Sequence, residues 1–208
     1  MGSNYDKQVQ MARGLFMKHD QEDMIQKYSL KHDKDYLYLI FMGDRYRISR
    51  ETGEVEVSNE TDTFTSCSNF NIIMTFYDIL CYPKGIPLLA NEWCPLYSLQ
   101  ATMSSPDANL QNYADIFAGH PDRLWQACQK LGGARLSISA GADVYCQFDL
   151  FPFFPIQFRF WDADDEFPAK IQLLWDRNSL MFMHFETLYY VMGPLLDKLL
   201  LLFRSCPQ

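Results

Sequence analysis

An acidic run bounded by aromatic residues is the part of the sequence with the clearest chemical potential. Residues 161–168 read Trp-Asp-Ala-Asp-Asp-Glu-Phe-Pro, which places four carboxylates within five residues directly after an apolar segment. Carboxylates this close repel one another. Water and salt screen that repulsion in an exposed turn, whereas a partly buried turn needs a cation or a proton to compensate. The run therefore indicates either a solvated acidic turn or a site that collects positive charge.

Three of these carboxylates are candidate ligands for a hard cation such as Ca²⁺, which binds several oxygen atoms. Asp162, Asp164 and Glu166 share the parity that points side chains to one side of an extended chain. An EF-hand is absent, because the sixth and twelfth positions counted from Asp162 hold Phe167 and Leu173 instead of glycine and glutamate. The three acids remain metal candidates, and the sequence identifies no cofactor.

Aromatic residues on both sides of the acidic turn extend it into a candidate ligand-binding surface. We expect Trp161, Phe167 and Trp175 to wall a pocket beside the carboxylates. The candidate site consists of acids and rings of this region and one aspartate from an earlier segment: Trp161, Asp162, Asp164, Asp165, Glu166, Phe167, Trp175, Asp176 and Asp143.

Other residue types that carry chemistry do not form recognisable motifs. The four histidines have no His-x-x-x-His spacing, and the six cysteines have no Cys-x-x-Cys pair, so the spacing of these residues indicates no metal site. His184 and Glu186 lie at the start of the last predicted helix, where such residues are typical capping and dipole partners. The sequence therefore identifies no catalytic residue.

Three classes of function are compatible with these observations. The first is a binding domain that takes a small ligand, a metal ion or a protein partner at the acidic turn. The second is an enzyme that uses one of the clustered carboxylates as a general base or metal ligand. The third is a structural protein that oligomerises through the apolar helix at residues 195–203. The sequence alone leaves open whether the protein is an enzyme and what its oligomeric state is.

The overall composition argues against two classes of partner. A net charge of -8 repels a nucleic-acid backbone, and the densest basic stretch, residues 45–50, alternates as a solvated strand face does. The longest apolar run, residues 199–203, is far shorter than a membrane span. We therefore expect neither a nucleic-acid nor a membrane partner. Scattered cysteines and a polar start of the chain favour the cytoplasm.

The site is positioned by two blocks of strands with helices between them. Alternating apolar and charged residues predict an antiparallel meander over residues 36–57, with its first turn at Gly43-Asp44. A second block of strands is predicted over residues 134–162, beginning with Leu136 and Ile138, and a further strand over 170–175. Helices are predicted over residues 4–28, 69–82, 107–117, 121–131 and 186–203, the second covering the meander and the last kinked at Gly193-Pro194.

Strands gathered in blocks, without a strict alternation of strand and helix, favour the α+β class. We expect antiparallel or mixed sheet segments covered by helices. A chain of 208 residues is within the usual length of one compact domain. The prediction is therefore a single α+β domain over residues 1–208.

The acidic segment also carries a resemblance to a known family. The string Trp-Asp-Ala-Asp-Asp-Glu-Phe-Pro-Ala from Trp161, the step Leu-Leu-Trp-Asp at 173–176, and the upstream Gly132-Gly133 and Gly-Ala-Asp at 141–143 resemble a prokaryotic domain-of-unknown-function family, number 3786. The resemblance spans roughly residues 93–186, and Trp175 stands where the family pattern has phenylalanine. It implies anaerobic microbes and, in some relatives, an added iron–sulfur segment that this sequence does not contain. It implies no activity.

Overall fold

The computed structural model describes residues 4–59, 61–100, 108–137 and 141–207. The chain divides into two compact units, the first drawn from residues 1–88 and 180–194 and the second from residues 89–179 and 195–208. Helices and antiparallel sheets are present in the described residues, which confirms the α+β class. The single domain over residues 1–208 stays a prediction.

The described residues form helices and strands that alternate in groups along the chain. In chain order they are α1 (Asn4–Phe16), α2 (Gln21–Tyr28), β1 (Lys31–His32), β2 (Tyr36–Phe41), β3 (Asp44–Ser49), β4 (Val55–Ser58), β5 (Phe64–Ser66), α3 (Phe70–Cys81), β6 (Trp93–Pro95), α4 (Ala108–Phe117), α5 (Pro121–Lys130), β7 (Ala134–Arg135), β8 (Val144–Phe151), β9 (Phe154–Trp161), β10 (Lys170–Asp176), α6 (Ser179–Phe182) and α7 (Phe185–Ser205).

The sheet of the first unit is an antiparallel meander with the strand order β1-β2-β3-β4-β5. Each strand pairs with the next one along the chain, which confirms the predicted meander. The turn between β2 and β3 is Met42-Gly43, not Gly43-Asp44, because Asp44 already pairs with Phe41. Both turn residues have positive φ, 51° and 82°, which is the type I′ geometry that joins twisted strands through two residues.

Helix α3 packs its aromatic face on the apolar side of this meander. The ring of Phe76 lies 5.4 Å from that of Phe41 and 4.9 Å from that of Tyr46, in edge-to-face geometry. Alternate residues of β2 and β3 point to this side, so Leu37 and Ile48 are also fully buried there. The predicted covering of the meander by the helix at residues 69–82 is confirmed, although α3 itself ends at Cys81.

Gly53 lies where the meander meets α1, and its replacement by alanine gives a first prediction. A Cβ at this position would lie 2.9 Å from Cγ of Arg13 and 3.3 Å from Cδ1 of Phe16, and φ is +72°. Gly53→Ala should lower the free energy of unfolding in urea by more than the roughly 1–2 kcal/mol of a left-handed alanine alone. Gly43→Ala is the matched control, since Gly43 has φ +82° and open space. Equal losses in the two variants would contradict tight packing at Gly53.

The second unit contains the other sheet, with the antiparallel strand order β6-β10-β9-β8-β7. One face is apolar, because Cys146, Phe158 and Leu173 lie opposite one another on neighbouring strands and are buried. The opposite face is more polar and carries Arg159 and Trp161. Phe117 at the end of α4 packs against Phe160 and Phe203, with ring centroids 6.4 and 4.9 Å apart. These contacts join α4 and the end of α7 to the sheet.

The remaining predicted elements are largely found where they were expected. Helices α1, α2, α4, α5 and α7 correspond to the predicted helices. Asp107 and Ile138, which were predicted in a helix and a strand, lie outside the described residues. Helix α7 is assigned continuously through Pro194, and its kink stays a prediction. In the described ranges, no helix combines the length and the apolar character that a membrane crossing requires.

Candidate ligand-binding site

The acidic run forms the connection between β9 and β10. Trp161 ends β9 and pairs with Lys170, which begins β10. Residues 162–169 therefore form a loop at one end of the sheet. The carboxylate of Asp164 closes this connection locally, because its Oδ1 accepts hydrogen bonds from the backbone N–H groups of Glu166 and Phe167 at 2.8 and 2.7 Å. Aspartate commonly folds turns in this way. The turn thus presents its carboxylates from a defined backbone.

Two further aspartates anchor the base of the turn. Oδ2 of Asp143 accepts a hydrogen bond from the N–H of Asp162 at 2.7 Å. Oδ1 of Asp162 in turn accepts from the N–H groups of Gly119 and Ala163 at 2.7 and 2.8 Å. Gly119 follows α4, and Asp143 precedes β8. Three separate segments of the second unit therefore meet at this end of the sheet.

A cavity of about 740 Å³ lies against this turn. Its charged lining residues are Asp143, Asp162, Asp164 and Lys170. Its aromatic lining residues are Trp161 and Phe167, and Phe167 is 66% exposed. The complete lining is Leu110, Gln111, Gly141, Asp143, Trp161, Asp162, Ala163, Asp164, Phe167, Pro168, Ala169, Lys170 and Ile171.

The charges around the cavity sum to an excess of negative charge. The lining residues include three aspartates and one lysine, a net charge of about -2 at neutral pH. Each of the three aspartates uses one oxygen to accept hydrogen bonds from backbone N–H groups. Among the described residues, no lysine or arginine forms an ion pair with these carboxylates. The arrangement can attract a positively charged group against an aromatic wall.

The structure separates the nine predicted site residues into two groups. Asp143, Trp161, Asp162, Asp164 and Phe167 line the cavity together. The other predicted acids of the turn and two residues of β10 do not belong to the lining; they are Asp165, Glu166, Trp175 and Asp176.

The three metal candidates do not converge on a common point. Asp162 and Asp164 each direct Oδ1 to backbone N–H groups, and Glu166 is exposed. Within the described ranges, no group of three or more histidine, cysteine, aspartate or glutamate side chains is arranged to hold a metal ion. Shared parity along an extended chain does not bring these residues together, because the backbone bends at residues 165–167.

Trp175 lies in the core rather than in the cavity wall, so the expected pocket of three rings has two. Strand pairing gives the reason: Trp161 lies opposite Lys170, whereas Leu173 lies opposite Phe158 on the apolar face. Trp175 shares the face of Leu173 and is fully buried. A period-two pattern thus distinguishes the two tryptophans once the register is known.

Asp176 has a structural environment of its own. It is fully buried, and its two carboxylate oxygens accept hydrogen bonds from the N–H groups of Ala90, Asn91 and Asn178 at 2.9, 2.7 and 2.8 Å. The backbone carbonyl of Asp176 also accepts from Oγ of Ser179 at 2.6 Å. Asp176 therefore anchors the segment before β6 to the end of β10.

Residues outside the nine predicted site residues complete the lining. Lys170 begins the strand that follows the turn, and its place opposite Trp161 becomes evident only from the β9–β10 register. Gln111 on α4 donates from Nε2 to the carbonyl of Ala169 at 3.0 Å. Nothing in the sequence around Gln111 indicates this contact, because it joins residues 58 positions apart.

Comparisons with known proteins give one positive result. No curated protein matched the chain. The solved structures also gave no match. A family model described as "Domain of unknown function (DUF3786)" matches residues 20–197, which include every residue of the cavity lining. The predicted family resemblance is thereby confirmed over a longer stretch than the sequence motifs cover, and the chain belongs to this DUF3786 family.

Proposed function

We propose that this protein binds a small organic cation with an apolar body in the cavity beside the acidic turn. The observation that carries the proposal is the combination of three carboxylates with two aromatic side chains around one cavity of about 740 Å³. Ligand pockets are typically concave and mostly apolar, with a few polar groups that orient the ligand. A cavity of this size accommodates a small molecule.

The charge and the aromatic wall support a cation over a neutral or anionic ligand. A unit charge held about 4 Å from a carboxylate gains about 1 kcal/mol even in bulk water, and more where water is partly excluded. A cation on the face of tryptophan gains a further amount, roughly 0.5–1 kcal/mol at an exposed site. Lys170 can orient an additional acceptor group of the ligand, so a molecule with both an ammonium and a polar neutral group is also compatible.

The proposal predicts discrimination between two probes of the same shape. Benzylammonium should shift the NMR resonance of the Trp161 indole N–H, identified by its loss in Trp161→Phe, with a saturable dependence on concentration. Benzyl alcohol, which replaces the ammonium by a hydroxyl, should bind at least about fivefold more weakly, because a loss of about 1 kcal/mol changes an equilibrium constant fivefold. Equal affinity for the two probes would contradict a cation site.

The cysteines and the net charge of the chain bear on its location in the cell and on its partners. We propose a cytoplasmic, prokaryotic protein that works without a nucleic-acid partner. All six cysteines are free thiols, which supports a reducing compartment. The net charge of -8 supports weak binding to polyanions. Fluorescence anisotropy with a labelled DNA duplex at low salt tests the proposed lack of a nucleic-acid partner. Saturable binding at micromolar protein would contradict it.

A further inference from the structure

A histidine and an aspartate form a hydrogen-bonded pair in the first unit. Nδ1 of His184, the residue before α7, lies 2.6 Å from Oδ1 of Asp78 on α3. The two residues are 106 positions apart in the chain, so the fold brings them together. Only 16% of the Asp78 side chain is exposed, compared with 57% for His184. The carboxylate is thus shielded, while the imidazole is open to solvent.

Both members of this pair are held in place. Oδ2 of Asp78 accepts hydrogen bonds from the backbone N–H of His184 at 2.8 Å and from the hydroxyl of Thr187 at 2.6 Å. The imidazole also packs on Tyr82, with ring centroids 4.0 Å apart. The position and the tilt of the imidazole are therefore set from two sides before any reactant arrives.

This geometry decides which ring nitrogen is reactive. A carboxylate only accepts hydrogen bonds, so the nitrogen facing Asp78 carries a proton, and in the neutral imidazole Nε2 carries the lone pair. When Nε2 attacks an electrophile, positive charge develops on the ring, and an adjacent carboxylate stabilises that charge. Asp78 is placed to do this for His184.

We propose that His184 is a nucleophilic site whose Nε2 accepts an acyl group from an uncharged activated ester, with Asp78 as its positioning residue. The lone pair of Nε2 forms a bond to the carbonyl carbon, and the bond to the ester oxygen breaks, releasing an alkoxide or phenoxide. Water then attacks the acyl group, releases the carboxylic acid and restores the imidazole. The net reaction consumes one ester and one water and yields one acid and one alcohol.

The surroundings favour an uncharged acyl donor over a phosphoryl donor. The carboxylate of Asp78 lies beside the ring, the exposed Glu186 follows two residues along the chain, and the chain has a net charge of -8. These charges repel a phosphate dianion but not a neutral ester. Cys81, one turn after Asp78, does not compete as a nucleophile, because burial, and secondarily the charge of Asp78, raise the pKa of its thiol to about 12.

The full-length protein and p-nitrophenyl acetate test this proposal by the release of p-nitrophenolate. His184→Gln should remove most of the rate in excess of buffer. Asp78→Asn should lower the rate about tenfold, as expected for loss of one charge-assisted hydrogen bond worth about 1.4 kcal/mol. His19→Gln is the matched control and should leave the rate unchanged, because in the described part of the chain the hydrogen-bond partner of Nδ1 of His19 is the neutral carbonyl of Leu15, at 2.9 Å.

Two further measurements separate this role from a purely structural one. ¹⁵N NMR of the unvaried protein should show His184 as the Nδ1–H tautomer, and Asp78→Asn should abolish that preference. If Asp78→Asn proves unstable, diethyl pyrocarbonate applied to the unvaried protein, followed by peptide mass spectrometry, should modify His184 faster than His19. An unchanged rate in His184→Gln, a lower melting temperature without a lower rate in Asp78→Asn, or equal modification of both histidines would overturn the proposal.

Discussion

Asp176→Asn should lower the free energy of unfolding by about 3 kcal/mol or more, although this is the loss of one charge with no change in shape. Both oxygens of the buried carboxylate accept backbone N–H groups, one from Ala90 and Asn178 and the other from Asn91. An asparagine has one oxygen, so in either rotamer its NH₂ group faces a backbone N–H. Depending on the rotamer, one or two of these backbone donors lose their hydrogen-bond partner beside the buried side chain.

Asp165→Asn is the control for this prediction, since it makes the same substitution at an exposed position of the same unit. Its effect should be within about 0.5 kcal/mol of zero, as for ordinary surface substitutions. Urea denaturation followed by tryptophan fluorescence measures both variants. Similar unfolding midpoints for Asp176→Asn and Asp165→Asn would show that the carboxylate does not anchor the segment before β6.

Gly133→Ala is the second substitution for which a large effect is expected, about 2–4 kcal/mol of destabilisation. A Cβ at this position would lie 2.7 Å from the backbone oxygen of Cys128 and 3.0 Å from Cε1 of Phe148. The N–H of Gly133 also donates to that same oxygen at 2.8 Å, closing the end of α5. Since a backbone carbonyl and a core ring cannot both move away, the end of the helix must open.

Gly14→Ala is the comparison variant, for which we expect a gain in stability instead of a loss. Gly14 is within α1, and a Cβ there would meet nothing within 4 Å. Alanine should therefore stabilise the protein by about 0.5–1 kcal/mol through its higher helix propensity. Thermal unfolding of the two variants checks both predictions, and a melting temperature for Gly133→Ala at or above that of the unsubstituted protein would contradict the first.

Local sequence patterns were sufficient for the elements that are long and periodic. The alternation in β2 and β3 and the helical spacing in α3 each follow from one buried face, so the meander and its covering helix were predictable. Strands β1 and β5 were not predicted, because two or three residues are too few to show a period. Such short strands exist only through pairing with a neighbour.

The acidic turn was predicted as a site from its residue types. Which of the nearby residues belong to that site depends on the strand register. Trp161 and Trp175 are equally aromatic, and only the pairing of β9 with β10 assigns one to the cavity and the other to the core. The carboxylate of Asp176 belongs to the same local motif as the turn acids, yet its three N–H partners make it a buried anchor. Residue type alone does not separate these roles.

The pair of His184 and Asp78 could not be predicted from the sequence, for a different reason. His184 was predicted as an ordinary capping or dipole partner at a helix start, whereas in the structure its N–H and its ring contact a carboxylate. That carboxylate, Asp78, lies on a helix 106 positions earlier, where nothing in the surrounding residues marks it. Long-range pairs of this kind follow from tertiary packing and leave no local pattern.

The affinity of benzylammonium for Asp143→Asn relative to Asp165→Asn tests the cation site most directly. Both variants remove one negative charge from the second unit, and asparagine at position 143 keeps an oxygen for the N–H of Asp162. Only Asp143 lines the cavity. Asp143→Asn should bind the probe about fivefold more weakly, while Asp165→Asn binds it as the unsubstituted protein does. Equal affinities for the two variants would contradict a cation held by the carboxylates of the cavity.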